Sequence, residues 1–285
     1  MICHVLPLYA QAQDTALASI GAAMLAAEQR VDSVWPGYAP TRSGVLLLAP
    51  REYAVLVRNG GMTARSFPPE FSATGWAVQY PLGSDTVAAL QPLGATTFAK
   101  LVFIYHESFH GFQHRAFSER SLNFQRDAAF QLVINSVRFK AEAEQERALL
   151  LHALYVDDDS AVRSMAIDYI AMRNQRLKAQ PLVAASEREM ERREGTAEYA
   201  ACQSAARATN GGVASARSCV AHWLERPLEE WPNAPEPNAS LVRWRQYGTG
   251  AALCVLLERI SRDWQIRVEK GEALDEILAA ALMNR

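Results

Sequence analysis

Gly44–Ala49 (GVLLLA) and Tyr53–Arg58 (YAVLVR) are two short apolar runs, each of strand length and rich in valine and leucine. A third run, Trp76–Tyr80 (WAVQY), follows, and Asn59-Gly60-Gly61 and Pro68-Pro69 punctuate the stretch as turn signals. Together they predict a small, mostly antiparallel sheet over roughly residues 40–85. Upstream, residues 14–30 place Leu17, Ile20, Met24 and Leu25 on one helical face, with Asp14 as N-cap, and Trp35-Pro36-Gly37 breaks the pattern.

Downstream, from about residue 95, the character is helical throughout. Thr96 or Thr97 caps a helix to about Phe117, and a long helical pattern covers 121–154. Val156–Asp159 forms a turn, and a helix capped by Asp159 or Ser160 runs to about Lys178, where Pro181 stops it. Further helices are expected at about 185–208 and 244–262, with the Pro-rich segment 227–237 as a surface loop between them. A sheet-bearing start followed by helices, without βαβ alternation, means α+β. The expected organisation is one domain over 1–285: helix and sheet to about 95, then a helical part with an insertion at about 118–184.

Composition sets the outer limits. The chain has 285 residues, of which 49% are hydrophobic and 21% charged, so disorder is excluded. Twenty-nine basic residues against 31 acidic ones supply no footprint for nucleic acid. No apolar run approaches the roughly 18 residues of a membrane span. Cys3, Cys202, Cys219 and Cys254 are too scattered for a disulfide scaffold, although Cys202 and Cys219 flank Asn210-Gly211-Gly212 and can pair in an oxidising compartment. Ala10-Gln11-Ala12 has the small-x-small form of a signal cleavage site, without a basic region before it. It reads as the remnant of an export signal (periplasmic or secreted), with an ordinary tail and a cytoplasmic protein as the alternative.

The chemistry lies in His106-Glu107-Ser108-Phe109-His110, an H-E-x-x-H pattern within the helix that follows the sheet. Four residues advance a helix by about 400°, so both imidazoles share a face and reach one Zn²⁺ at about 2.0–2.1 Å. Glu107 projects from the neighbouring face, where it serves as base to a water polarised by the metal. The surrounding apolar residues (Leu101, Val102, Phe103, Ile104, Phe109) argue against idle histidines, which are costly in such a setting unless paired. A third ligand is required. Glu194 in Glu194-Gly195-Thr196-Ala197-Glu198-Tyr199 completes a His₂Glu set, with Gly195 allowing that helix to approach the first closely. Glu198, one turn on, is placed to accept a hydrogen bond from the free ring nitrogen of a ligand histidine.

The segment His106–Gln113 (HESFHGFQ), followed by Glu194–Tyr199 (EGTAEY), resembles the gluzincin metallopeptidases, the thermolysin-like or MA clan. The resemblance implies one Zn²⁺ on His106, His110 and Glu194, catalysis by Glu107, and support from Glu198. It rests on about 14 residues. Many gluzincins place the third ligand roughly 20 to 30 residues after the second histidine, whereas 83 residues (111–193) intervene here. The chain therefore looks like a bacterial-type member with a helical insertion between the two motifs. The clan also uses a Tyr or His after the third ligand to stabilise the oxyanion, which by analogy is Tyr247, and an edge strand beside the metal helix that pairs with extended substrate.

The remaining candidates are weaker. Arg243 and Arg245 read as surface residues, with a grip on a substrate carboxylate as the alternative. His114 stands a turn too far along to share the ion, and His4, His152 and His222 have no partner in the sequence. Asp157-Asp158-Asp159 lacks Ca²⁺-loop spacing and reads as a solvated turn with favourable charge at a helix N-terminus. A di-iron bundle would need a second E-x-x-H, and no G-x-S-x-G elbow points to a nucleophilic serine. The expected function is a zinc-dependent hydrolase, a metallopeptidase acting on a peptide or protein, with no nucleic-acid partner and no transmembrane segment. The alternative is a catalytically silent binding or interaction protein of the same fold that retains the zinc site; the intact Glu107 favours the enzyme.

Overall fold

A computed structural model describes residues 5–49, 53–66, 77–82, 85–118, 136–178, 180–225 and 245–284. The chain divides into two compact units, residues 1–115 with 203–213, and residues 116–202 with 214–285. The architecture is α+β, with one mixed sheet near the N-terminus and helices after it.

The first unit opens with α1 (Val5–Ala26) and two short helices, α2 (Glu28–Val31) and α3 (Pro40–Ser43). Asp14 is therefore inside α1 rather than its cap; Pro7 falls in the first turn, where helices tolerate proline. The sheet comprises β1 (Val45–Leu48), β2 (Tyr53–Arg58), β3 (Gly61–Ser66), β4 (Ala77–Leu82) and β5 (Asp85–Leu90), in the order β3-β2-β1-β5-β4. Three pairs are antiparallel and β1–β5 is parallel, with Val45 opposite Ala88 and Leu47 opposite Leu90. The β2–β3 hairpin turns at Asn59-Gly60, both with positive φ, as a two-residue hairpin loop requires. Strands β3 and β5 go beyond the three expected runs, and Trp76 and Pro68-Pro69 lie outside the described residues. Leu46, Leu48, Ala54, Leu56, Val87 and Ala89 form the core on one face of the sheet.

The helix α4 (Thr97–Ala116) closes the unit, and Thr96 caps it, its Oγ1 accepting from Ala99 N at 3.1 Å. Its rotation is fixed by two aromatic residues of the loop between α2 and α3. The Trp35 and Tyr38 rings pack edge-on against Phe109, with centroids 5.2 and 5.0 Å away. The Tyr38 hydroxyl donates to the Tyr105 carbonyl at 3.1 Å and lies 2.6 Å from Ser108 Oγ. Burial holds the Tyr38 phenol well above its ordinary pKa, so it stays a neutral donor. Gly111 faces β4, and a Cβ there would sit 3.1 Å from Gln79 Oε1.

The second unit is helical: α5 (Val137–Tyr155), α6 (Asp159–Lys178), α7 (Pro181–Met190), a π-helical turn (Glu191–Gly195), α8 (Thr196–Ala208), α9 (Gly212–Glu225), α10 (Arg245–Ile260), α11 (Trp264–Glu269) and α12 (Leu274–Met283). The last residues of α8, from Gln203 on, belong to the first unit. Every residue of α10 from Arg245 to Leu257 is buried, which makes it the axis of the unit. Asp158 rather than Asp159 or Ser160 caps α6, its Oδ1 accepting from Ala161 N at 2.7 Å. Asp157 and Asp159 pair with Arg217 and Arg259 at the surface. Pro181 opens α7 at its first turn instead of ending α6. Helices α9, α11 and α12 are additional to the expected set; residues 121–135 and 227–237, expected as helix and loop, lie outside the described residues. No described helix is long and apolar enough to cross a membrane.

Candidate metal centre

The α4 helix brings the two motif histidines together as their spacing demands. Their Nε2 atoms are 3.1 Å apart, with ring centroids at 4.8 Å and planes nearly perpendicular. Two nitrogens at about 2.0–2.1 Å from one ion, on neighbouring corners of a tetrahedron, stand about 3.3 Å apart, so this pair has the spacing of two ligands. His106 is only 5% exposed and His110 half-buried, at a place where an unpaired imidazole would be expensive. Glu107 is half-buried on the adjoining face. His110 Nδ1 contacts Gln113 Oε1 at 2.7 Å. His114, His152 and His222 are exposed, and His4 is outside the described residues.

The second motif lies in the second unit. Glu194 sits within the π turn, 3% exposed, with Arg193 Nε 3.6 Å from its Oε1. π turns interrupt α-helices at functional positions more often than elsewhere. Gly195 admits a close helix crossing, and the helix it admits is α10: a Cβ at Gly195 would lie 2.4 Å from the Gly250 Cα. Glu198 is buried rather than solvated, and its Oε1 accepts from the Trp223 indole N–H at 2.7 Å. The Tyr247 ring, also buried, packs against Trp223 with centroids 5.2 Å apart. Cys202 and Cys219 form a disulfide with Cα atoms 5.7 Å apart, so the close approach of Glu198 to both sulfurs is not a ligand set while that bond is intact.

Sequence reasoning missed a network of buried charges behind the π turn. Arg173 donates to both Glu191 oxygens (3.0 and 2.6 Å) and to Asp275 (3.0 Å). Arg176 likewise grips both oxygens of Glu146 and both of Glu187 at 2.6–3.0 Å. Arg245 is buried and donates to Glu187, so neither a surface position nor a free substrate-binding guanidinium describes it; Arg243 lies outside the described residues. Thr249 donates to Glu191 at 3.0 Å, and the Gln246 amide, with its oxygen turned to Arg245, donates to it at 2.9 Å. Burial raises Glu187, but Arg176, Arg245 and Arg173 outweigh it and hold the carboxyl well below the usual range. Burial, helped by Glu187 and Asp275 and opposed by Arg173, pushes Glu191 up to about 7.

A readable signal for this network exists. The buried stripe of α6 runs Val162, Ala166, Tyr169, Arg173, Arg176, and that of α5 runs Phe139, Ala143, Glu146, Leu150. Opposite charges therefore stand at core positions of facing helices. Comparison of the chain with protein-family models, with curated proteins and with solved structures gives no match.

Proposed function

We propose that the protein is a zinc-dependent hydrolase, a metallopeptidase, with His106, His110 and Glu194 as the ligands of one Zn²⁺ and Glu107 as general base and acid. The observation that carries the reading is the His106–His110 pair, whose Nε2 atoms converge to 3.1 Å on a helix whose rotation is fixed by Tyr38 and Trp35. Two imidazoles and a carboxylate are a donor set suited to zinc, and three protein ligands leave one position open. When bound, Zn²⁺ acts as a Lewis acid toward a carbonyl and lowers the pKa of water to about 7.

The chain's own residues do the rest. Glu107, one residue after the first histidine, takes a proton from the attacking water and returns it to the leaving amine. Glu194, buried and held in a π turn rather than on a loop, offers its carboxylate with little freedom to reorient. Glu198 supports a ligand histidine through the oxygen not engaged by Trp223. Tyr247 is the candidate donor to the developing oxyanion.

Metal analysis and hydrolysis of an unfolded protein substrate such as casein, on wild type and Glu107→Gln, test the proposal. The expected result is about one zinc per chain in both proteins, with hydrolysis in wild type and a loss of about 10²–10⁴-fold in the variant. Zinc-free wild type, prepared without chelators, overturns the metal site. Zinc without hydrolysis of any peptide favours the silent binding protein.

A further inference from the structure

Immediately after His110 the α4 helix makes one more turn, Gly111-Phe112-Gln113, before it reaches the exposed His114 and Arg115. Gln113 is polar yet only 7% exposed, and its Oε1 lies 2.7 Å from His110 Nδ1. An amide oxygen only accepts, so the proton of this bond is on Nδ1. In a neutral imidazole the other nitrogen then carries the lone pair, and that nitrogen is the Nε2 that faces His106 at 3.1 Å. An unconstrained neutral histidine prefers the opposite tautomer, with its proton on the nitrogen that a metal needs bare.

We propose that Gln113 is a positioning residue of the metal centre, fixing the Nδ1–H tautomer and the ring rotation of His110 so that its Nε2 lone pair points at the space beside His106 Nε2. The inference rests on the zinc reading above. The contact is intrahelical, at i,i+3, so it is set by α4 alone and exists before any ion arrives. The Gln113 acceptor is buried, so water competes little for it. A neutral amide does this without adding a charge to the His₂Glu set, whereas a carboxylate here would orient the ring equally and also make it a stronger base. In the metal-free protein the 3.1 Å approach leaves His106 as the donor of the pair, so the two histidines hold opposite tautomers.

The test has two arms. Long-range proton–nitrogen NMR of the imidazoles in the metal-free chain at pH 8, assigned with His106→Ala and His110→Ala, should find His110 as Nδ1–H and His106 as Nε2–H. In Gln113→Leu, His110 should move to Nε2–H, and in Gln113→Glu it should remain Nδ1–H. Zinc affinity, measured by competition with a chromophoric chelator, should fall about 10–100-fold in Gln113→Leu and be kept or increased in Gln113→Glu. His110 as Nε2–H in wild type overturns the proposal, whether or not Gln113→Leu folds. Unchanged zinc affinity in a folded Gln113→Leu overturns it as well and leaves the zinc reading standing. If wild type binds no zinc, the zinc reading fails, and with it any metal role for Gln113.

Discussion

The crossing of the π turn with α10 makes a prediction whose sign, not just its size, is informative. Replacing glycine by alanine inside an exposed helix normally stabilises it by about 1 kcal/mol. At Gly195 the added Cβ would lie 2.4 Å from the Gly250 Cα, 2.7 Å from the Gly250 carbonyl carbon and 3.0 Å from the Ala251 nitrogen. All three are backbone atoms, so no side chain can rotate away, and ordinary contact requires the two segments to separate by about 1 Å. Gaps of 0.5–1 Å forfeit a quarter to a half of each contact along the seam, and they also stretch the Thr249–Glu191 bond at 3.0 Å beside it. Overpacking of this kind costs about 1–3 kcal/mol, and a rigid backbone contact belongs at the upper end. Set against the helix gain, Gly195→Ala should lose about 2 kcal/mol, read as a lower urea midpoint at an unchanged slope. Gly111→Ala is the control, because the nearest atoms its Cβ would meet belong to the movable amide of Gln79, from 3.1 Å outward. An unchanged or higher midpoint for Gly195→Ala would refute the crossing.

Glu191 binds its proton more tightly in the fold, with a pKa of about 7 against an ordinary 4.5. Its contribution is therefore fully present below about pH 4.5 and lost as pH rises through about 7, a swing of at most about 3 kcal/mol. Glu187 and Asp275 have the opposite sign, their depressed values giving stability that is lost in acid. Glu191→Gln should flatten stability between about pH 5 and 8, and an urea-unfolding series showing the wild-type slope would contradict this. The Cys202–Cys219 bond, 17 residues apart, should contribute about 3 kcal/mol, so reduction or Cys219→Ser should lower the urea midpoint; reaction of both thiols in unreduced, denatured protein would exclude the bond. Tyr247→Phe keeps the ring against Trp223, so stability should hold while kcat falls about 10²–10³-fold; an unchanged kcat removes Tyr247 from the reaction.

What the sequence disclosed was whatever is decided locally. The α4 helix, its Thr96 cap and the convergence of His106 with His110 all follow from contacts three or four residues apart, and all three appear in the structure. Strand β3 (GMTARS) carries no clear strand pattern because it is an edge strand with mixed polarity. Strand β5 pairs with its neighbour β4 in a hairpin, but its parallel pairing with β1, some forty residues away, is encoded by no local pattern. Gly195 is a point of close approach, but its partner is Gly250 of α10 and not the His106–His110 helix that the sequence suggested, since any helix with a small residue could have answered. The buried network was hidden for a different reason. Arg173, Arg176, Glu146 and Glu187 have the composition of solvated helix faces, and only their placement on apolar stripes betrays them.

The residues around Glu194 are held by four separate anchors. Glu191 is gripped by Arg173 and Thr249, Gly195 is locked against Gly250, Glu198 accepts from Trp223, and Cys202 is bonded to Cys219. These anchors fall at 191, 195, 198 and 202, the spacing of a single helical stripe. Glu194 lies between the first two of these anchors, so the contacts on either side of it fix its backbone. Buried ion pairs rarely add net stability over apolar replacements, and a π turn is a rare departure from helical geometry. Both are readily understood where an exact backbone direction matters more than stability. Under the zinc reading proposed above, with Glu194 as a ligand, direction is the property that counts.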